Sequence, residues 1–224
     1  MPLVEARVDF ALVQRSATHV GRRGQVSQGW STGRAHPGVP PIPGSTLKGC
    51  VRRVSERLAR ALCLPVCAEP AACRLGLECS VCGIFGNPRL EAPLAWSDAL
   101  PHTAVAPLLT RADLIEVRGR MPLHRLTGTG TEATVGNVEA TAGGMVYAGV
   151  IDGWLPSGEH EKCLPQRGLL LLASLRATTA LGSGKSVGLG ACTFEIESVR
   201  LGSLTLPGEE ALAQLDRLGV TEGA

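Results

Sequence analysis

The chain has 224 residues, 44% hydrophobic and 19% charged, enough apolar material for a packed domain, which excludes a globally disordered chain. Its net charge is only +2, so any polyanion-binding signal must lie in how the charge is distributed rather than in its total. No run of about 18 uncharged apolar residues occurs, and the first ten residues interleave charges with apolar residues, without a signal-like core. The expectation is therefore a cytoplasmic protein, not membrane-bound, whose cysteines are thiols or metal ligands rather than disulfides.

Residues 4–13 alternate Val4, Ala6, Val8, Phe10 and Leu12 against Glu5, Arg7 and Asp9, the period-two pattern of a half-buried strand. Residues 14–44 have no period and are rich in Gly, Pro, Ser and Arg, which predicts a long loop of the kind that is usually functional. Leu47, Val51, Val54, Leu58 and Leu62 then follow helical spacing, with Ser45 or Thr46 as the expected N-cap. Five of the eight cysteines fall within residues 63–82. A short strand is expected around Leu94–Asp98, and a polar excursion or hairpin across 102–144. Met145, Tyr147, Gly149 and Ile151 mark a second clear strand, Leu169–Leu181 a buried helix, and Gly182–Gly190 a glycine-rich loop. A final core strand is expected over Thr193–Leu201 and a short helix near Glu209–Leu218. The order strand, helix, strand, strand, helix, strand predicts an α+β ferredoxin-like sandwich.

Four patterns could carry chemistry. Between Asp9 and Glu56 there is no carboxylate, while Arg15, Arg22, Arg23, Arg34, Lys48, Arg52 and Arg53, with His19 and His36, fill the same window. Uncompensated positive charge of this kind attracts a polyanion and releases its counterions. The turn Gly44-Ser-Thr-Leu-Lys48 enters a helix, where backbone N–H groups and the helix dipole favour a phosphate; Lys48 and Arg52 lie four apart, on one helix face. Gly184-Lys185-Ser186 resembles part of a nucleotide-binding loop, but position 179 is Thr where that motif needs Gly, and a strand follows instead of a helix. A loop so rich in glycine can still bring RNA backbone close to Lys185. Cys79-Ser-Val-Cys82 is a CxxC, and Cys67 and Cys73 are the preferred partners for a closed, structural tetrathiolate zinc site, with Cys63 in reserve. No paired catalytic carboxylates and no serine or cysteine triad emerge. Aromatic residues make up only 3% of the chain, which argues against base stacking and for phosphate-driven, sequence-independent RNA binding.

Several of these segments, in this order, resemble the RAMP (repeat-associated mysterious protein) superfamily of CRISPR systems. Ile42-Pro-Gly-Ser-Thr-Leu-Lys-Gly49 with Arg52 and Arg53 resembles its helix signature, Ile84-Phe-Gly86 its Phe-Gly motif, and Trp96-Ser-Asp98 its following strand end. Leu181–Gly190 resembles its C-terminal glycine-rich loop, and His124–Gly130 through Gly143 the thumb of its backbone subunits. The resemblance runs from about residue 4 to 201. It implies a modified ferredoxin-like, RRM-like palm forming one RNA-binding domain over 1–224, with a thumb at about 120–144 and a zinc-binding insertion at about 63–86 like those of type III-D, III-E and type VII backbone subunits. It implies an antiviral effector subunit that stacks head-to-tail with copies of itself along a guide RNA, beside complementary target RNA, other effector subunits and in some systems a separate nuclease. Contacts to RNA are then expected from His19, Arg22, Arg23, Ser45, Lys48, Arg52, Arg53, Arg125 and Lys185, with Zn2+ on Cys67, Cys73, Cys79 and Cys82. The aspartate that supports target cleavage in active members would fall near Gln28, Gly29 or Trp30, none of them acidic. A subunit that binds RNA without cutting it is therefore expected. Two other readings remain: an endoribonuclease using His19 or His36 as base, and a zinc-stabilised protein-interaction module.

Overall fold

A computed structural model describes residues 2–20, 41–102, 115–120, 126–129, 136–157 and 163–218. Strand β1 (Leu3–Gln14) follows its alternation, with Ala6, Val8, Phe10 and Leu12 buried on one side. Helix α1 (Gly44–Ala61) is followed by the cysteine-bearing segment, which ends in the single turn α2 (Cys82–Phe85). Then come β2 (Leu94–Trp96), β3 (Leu100–Pro101), the strand pair β4 (Ile115–Arg120) and β5 (Gly136–Thr141), and β6 (Val146–Pro156). Helix α3 (Gln166–Ala177), β7 (Cys192–Leu201), β8 (Leu204–Pro207) and α4 (Gly208–Ala213) complete the described chain.

The main sheet runs β2-β6-β1-β7-β8, every pairing antiparallel, with β3 also on β6. Since β1 and β2 both run antiparallel to β6, they are parallel to each other, and the order is the ferredoxin-like one extended by a strand at one edge. Helices α1 and α3 cover one face. Their Leu47, Val51 and Leu169–Leu172 pack with Phe10, Leu12, Tyr147, Ile151 and Phe194 in one core, and the Phe10 and Phe194 rings meet at 5.3 Å. The other face carries Glu5, Asp152, Glu195 and Arg200, with Trp154 its aromatic residue among the described positions. It offers no row of rings for stacking bases. No described helix is long and apolar enough to cross a membrane.

Two boundaries differ from the sequence reading. The buried helix ends at Ala177 rather than Leu181: Thr178 turns extended, its Oγ1 donates to the Ser174 carbonyl at 2.7 Å, and Ala180 pairs with Ala191. Two consecutive β-branched residues lower the helix propensity there. The cap of α1 is Pro43, with no side-chain cap from Ser45 or Thr46, which already lie in the first turn. The carboxylate that an N-terminus favours comes instead from Asp98, whose Oδ1 accepts the Gly44 N–H at 2.8 Å. Gly44 is needed because the helix start sits directly on β2: a methyl there would run into the backbone carbonyls of Trp96 and Ser97.

Candidate metal centre and nucleic-acid interface

The chain leaves α1 through Cys63, which takes a left-handed φ of 55°, and the Leu64 N–H donates back to the Ala59 carbonyl at 2.9 Å. Ser80 N–H bonds the Pro65 carbonyl at 2.8 Å and closes a loop whose two ends carry Cys67 and the CxxC. Short 3-10 turns at Pro70–Ala72 and Gly76–Glu78 fold Cys73 inward between them. The result brings Cys67, Cys73, Cys79 and Cys82 together with all four sulfurs within 4.8 Å of one another. The Cys67 sulfur is 3.7 Å from that of Cys82 and 3.8 Å from that of Cys79. Four thiolates at about 2.3 Å from a tetrahedral ion sit about 3.8 Å apart, so the residues fit a closed tetrathiolate metal centre. The sulfurs are too far apart for disulfides, and all eight cysteines are free. Cys63 is not in the group of four.

Thiolate chemistry is already favoured at Cys79. Burial pushes its thiol up, but backbone N–H groups outweigh that and bring it down to about 7; the Cys82 N–H points at its sulfur at 3.4 Å. Burial and the neighbouring thiols push Cys67 up, so the protons leave one by one and a cation is needed to hold all four sulfurs ionised. With no open position in the donor set, such a centre is structural.

Lys48 and Arg52 share the flank of α1 that faces this cluster. The Arg52 guanidinium is occupied internally: Nε meets Glu56 at 3.2 Å, Nη1 donates to the Gly86 carbonyl at 3.0 Å, and Nη2 reaches the Cys82 sulfur at 3.8 Å. Lys48 is partly buried above it, and burial followed by the Arg52 charge pushes its pKa down. The helix start is largely satisfied, since Gly44 N–H goes to Asp98 and the N–H groups of Thr46 and Leu47 go to the Pro43 carbonyl. Ser45 is exposed beside it.

A second constellation forms at the end of β1. Residues 15–20, which lead into the basic stretch of the sequence, are bonded on both sides. Thr18 exchanges backbone hydrogen bonds with Thr141 at the base of the β4–β5 hairpin, and His19 accepts from Ser183 in the glycine-rich loop at 3.0 Å. Gly190 N–H donates to the Ala17 carbonyl at 2.8 Å. Gly184 and Gly188 take the left-handed conformation at either end of a 3-10 turn, Lys185–Val187, that stands in solvent with Val187 64% exposed. The loop joins a helix to a strand, the reverse of a nucleotide-binding loop. From this turn Lys185 Nζ reaches the Cys50 sulfur at 3.7 Å. At 100° per residue Arg53 and Arg57 lie on the same flank of α1 as Cys50, and both are exposed. Beneath them Cys192 is buried, which pushes its thiol up to about 12.

The structure thus brings His19, Arg53 and Lys185 to one region and places Lys48 and Arg52 on the opposite flank of α1. Arg22, Arg23 and Arg125, together with Gln28, Gly29, Trp30 and most of the thumb tip, lie outside the described residues. Arg57 lies just beyond Glu56, the carboxylate that ends the acid-free window, and its i+4 spacing from Arg53 is the sequence signal that puts it on the same exposed flank. Asp98 as a helix cap left no local signal, being 54 residues from Gly44.

Fold and site together define a ferredoxin-like α+β protein with four cysteines placed to hold a metal ion and a basic glycine-rich edge. The chain belongs to the RAMP superfamily, whose family model matches residues 30–193. Among solved structures it is similar to a chain in the cryo-EM structure of the Type III-B Cmr-beta bound to cognate target RNA, with TM-score 0.52 and 19% identity. That likeness covers 92% of this chain and 62% of the other, so this protein spans under two thirds of the matched chain's length, and at such identity the likeness is one of fold. No curated protein matches the sequence significantly.

Proposed function

We propose that this protein is a guide-RNA-binding backbone subunit of a type III-like CRISPR effector complex, acting in antiviral defence, and that it binds RNA without cutting it. The observation that carries the reading is the convergence, in a RAMP-superfamily chain, of residues 15–20, the hairpin base and the glycine-rich loop at the end of β1. The similar Type III-B Cmr-beta structure is of a complex bound to cognate target RNA. Lys185, Arg53, Arg57 and His19 contact guide phosphates, with Arg22 and Arg23 from the loop that follows; Ser45 and Lys48 add contacts at the start of α1, and Arg125 acts from the thumb. The sheet face without an aromatic row agrees with recognition through phosphates. Copies assemble head-to-tail, a heterologous contact that continues along the guide. Zinc occupies the four cysteines, since an all-sulfur tetrahedral set suits it, and its chemistry there is structural. The absence of any acid between Asp9 and Glu56 supports the non-cleaving reading by arguing against a metal-dependent mechanism.

The test is to purify the protein with its guide RNA and partner subunits, then challenge the complex with labelled complementary RNA. Ribonuclease-resistant guide footprints and an intact target support the reading. Protein that emerges free of RNA overturns guide binding. Target cut at regular intervals in the absence of any separate nuclease overturns the non-cleaving assignment alone.

A further inference from the structure

A tetrathiolate around a divalent ion carries a formal charge of −2, and here three of its four cysteines are buried. Charge held away from water must be compensated nearby. Two guanidiniums approach the cluster from different helices. Arg52 on α1 reaches the Cys82 sulfur with Nη2 while its Nε holds Glu56. Arg167, in the first turn of α3, lies within electrostatic reach of Cys79 and is partly buried. It packs flat over Gly83, the residue after the CxxC: a methyl on Gly83 would lie 2.6 Å from the Arg167 Cζ. The glycine is what lets the guanidinium come down onto the knuckle. Lys48 stands one turn before Arg52, and Glu56 is the carboxylate on this flank, paired with Arg52.

We propose that Arg52 and Arg167 are positioning residues that hold the cysteine cluster in its metal-binding form, compensating its charge and tying α1 and α3 to it. This rests on the reading of the four cysteines as a metal centre and is independent of RNA binding. It gives Arg52 a role different from the phosphate contact that its place in a basic run suggests. It also ties α1 to the cysteine segment, since Arg52 bridges the helix to both Cys82 and the Gly86 carbonyl.

The experiment uses the full chain loaded with Co2+ and then Zn2+. Affinity is read by competition with a chromogenic chelator, and geometry by the cobalt absorption bands. Wild type is expected to hold one ion with an all-sulfur tetrahedral spectrum; a chain that holds none overturns the metal-centre reading itself. Arg52→Gln and Arg167→Gln are each expected to weaken binding by about 10-fold or more, with the cobalt spectrum still tetrahedral. Arg52→Lys and Arg167→Lys should recover part of that loss. Wild-type affinity in both Gln variants overturns the proposal, and so do Lys variants no better than Gln, which would make the arginines packing groups. Melting in excess zinc checks that each variant folds. If Arg167→Gln does not fold, Gly83→Ala displaces the guanidinium while keeping its charge, and unchanged affinity there counts against the proposal.

Discussion

Helix α1 has two basic flanks with opposite fates. On one, Lys48 and Arg52 face a cysteine cluster, and Arg52 is held by a carboxylate, a carbonyl and a sulfur. On the other, Arg53 and Arg57 stand exposed beside Cys50, where Lys185 arrives from the glycine-rich loop. Both flanks come from the same run of basic residues. What separates them is what packs against each, because a guanidinium lying near buried thiolates offsets their charge, whereas one in solvent is available to a polyanion.

Removing the metal should break the first flank and spare the second. Cys79→Ser should lose the ion, and chelation of wild type should do the same. With free zinc at about 1,000 times Kd, loading stabilises by about 4.1 kcal/mol, roughly 8–16 °C in melting temperature for a chain of this size. Differential scanning calorimetry with and without chelator checks this, and an unchanged melt would sink the structural role of the cluster.

Charge reversal on the second flank should do the converse. Arg53→Glu with Lys185→Glu should leave metal content at the wild-type value while guide RNA is lost on washing. If both residues contact phosphates, the slope of log affinity against log salt falls by about 1.4 for a single strand, which a filter-binding titration at several salt concentrations reads. Equal RNA retention in wild type and variant would move the interface elsewhere.

Between the flanks runs the buried seam of α1 and α3, where Ser55 donates to Ser174 Oγ and Ser174 to the Leu170 carbonyl, both at 2.6 Å. Ser174→Ala leaves the Ser55 hydroxyl buried without its partner and should cost about 1–3 kcal/mol. Ser55→Ala should cost less, because Ser174 keeps Leu170. Denaturant melts of the two variants decide the order.

The smallest effect is expected on the sheet face remote from both flanks. There Arg7 hydrogen-bonds Asp9 at 2.7 Å and holds its carboxyl below the usual carboxylate range, against burial, with help from Ser198. A lowered folded pKa stabilises above the unfolded value, about 3.9, and the contribution disappears as pH falls through the lowered folded value. Asp9→Asn should therefore cost about 0.2–1 kcal/mol at pH 7 and progressively less as pH falls below the unfolded value. A cost that grows toward acid would contradict the assigned direction.

Much of the molecule was legible from local pattern. β1, β6 and β7 declared themselves by alternation, α1 by its 3.6 period, and the four clustered cysteines by a CxxC with two more thiols just upstream. Such signals work because side-chain period and short loop closure are properties of neighbouring residues. The positive φ at Cys63 and its place outside the group of four were not legible, nor was the end of α3 at Ala177.

The order of elements was enough to settle the ferredoxin-like topology, and the crowding of cysteines enough to name the sulfurs that meet. Only the tertiary structure decided which cations serve the protein and which face outward. Arg52 and Arg53 are adjacent in sequence, but 100° of helix rotation turns one toward Cys82 and the other toward solvent. Asp98, Arg167 and Lys185 reach α1 and its cluster from segments that no window of sequence contains. Electrostatic roles are set by distance and burial, and for groups far apart along the chain those are fixed only when the sheet and its two helices close.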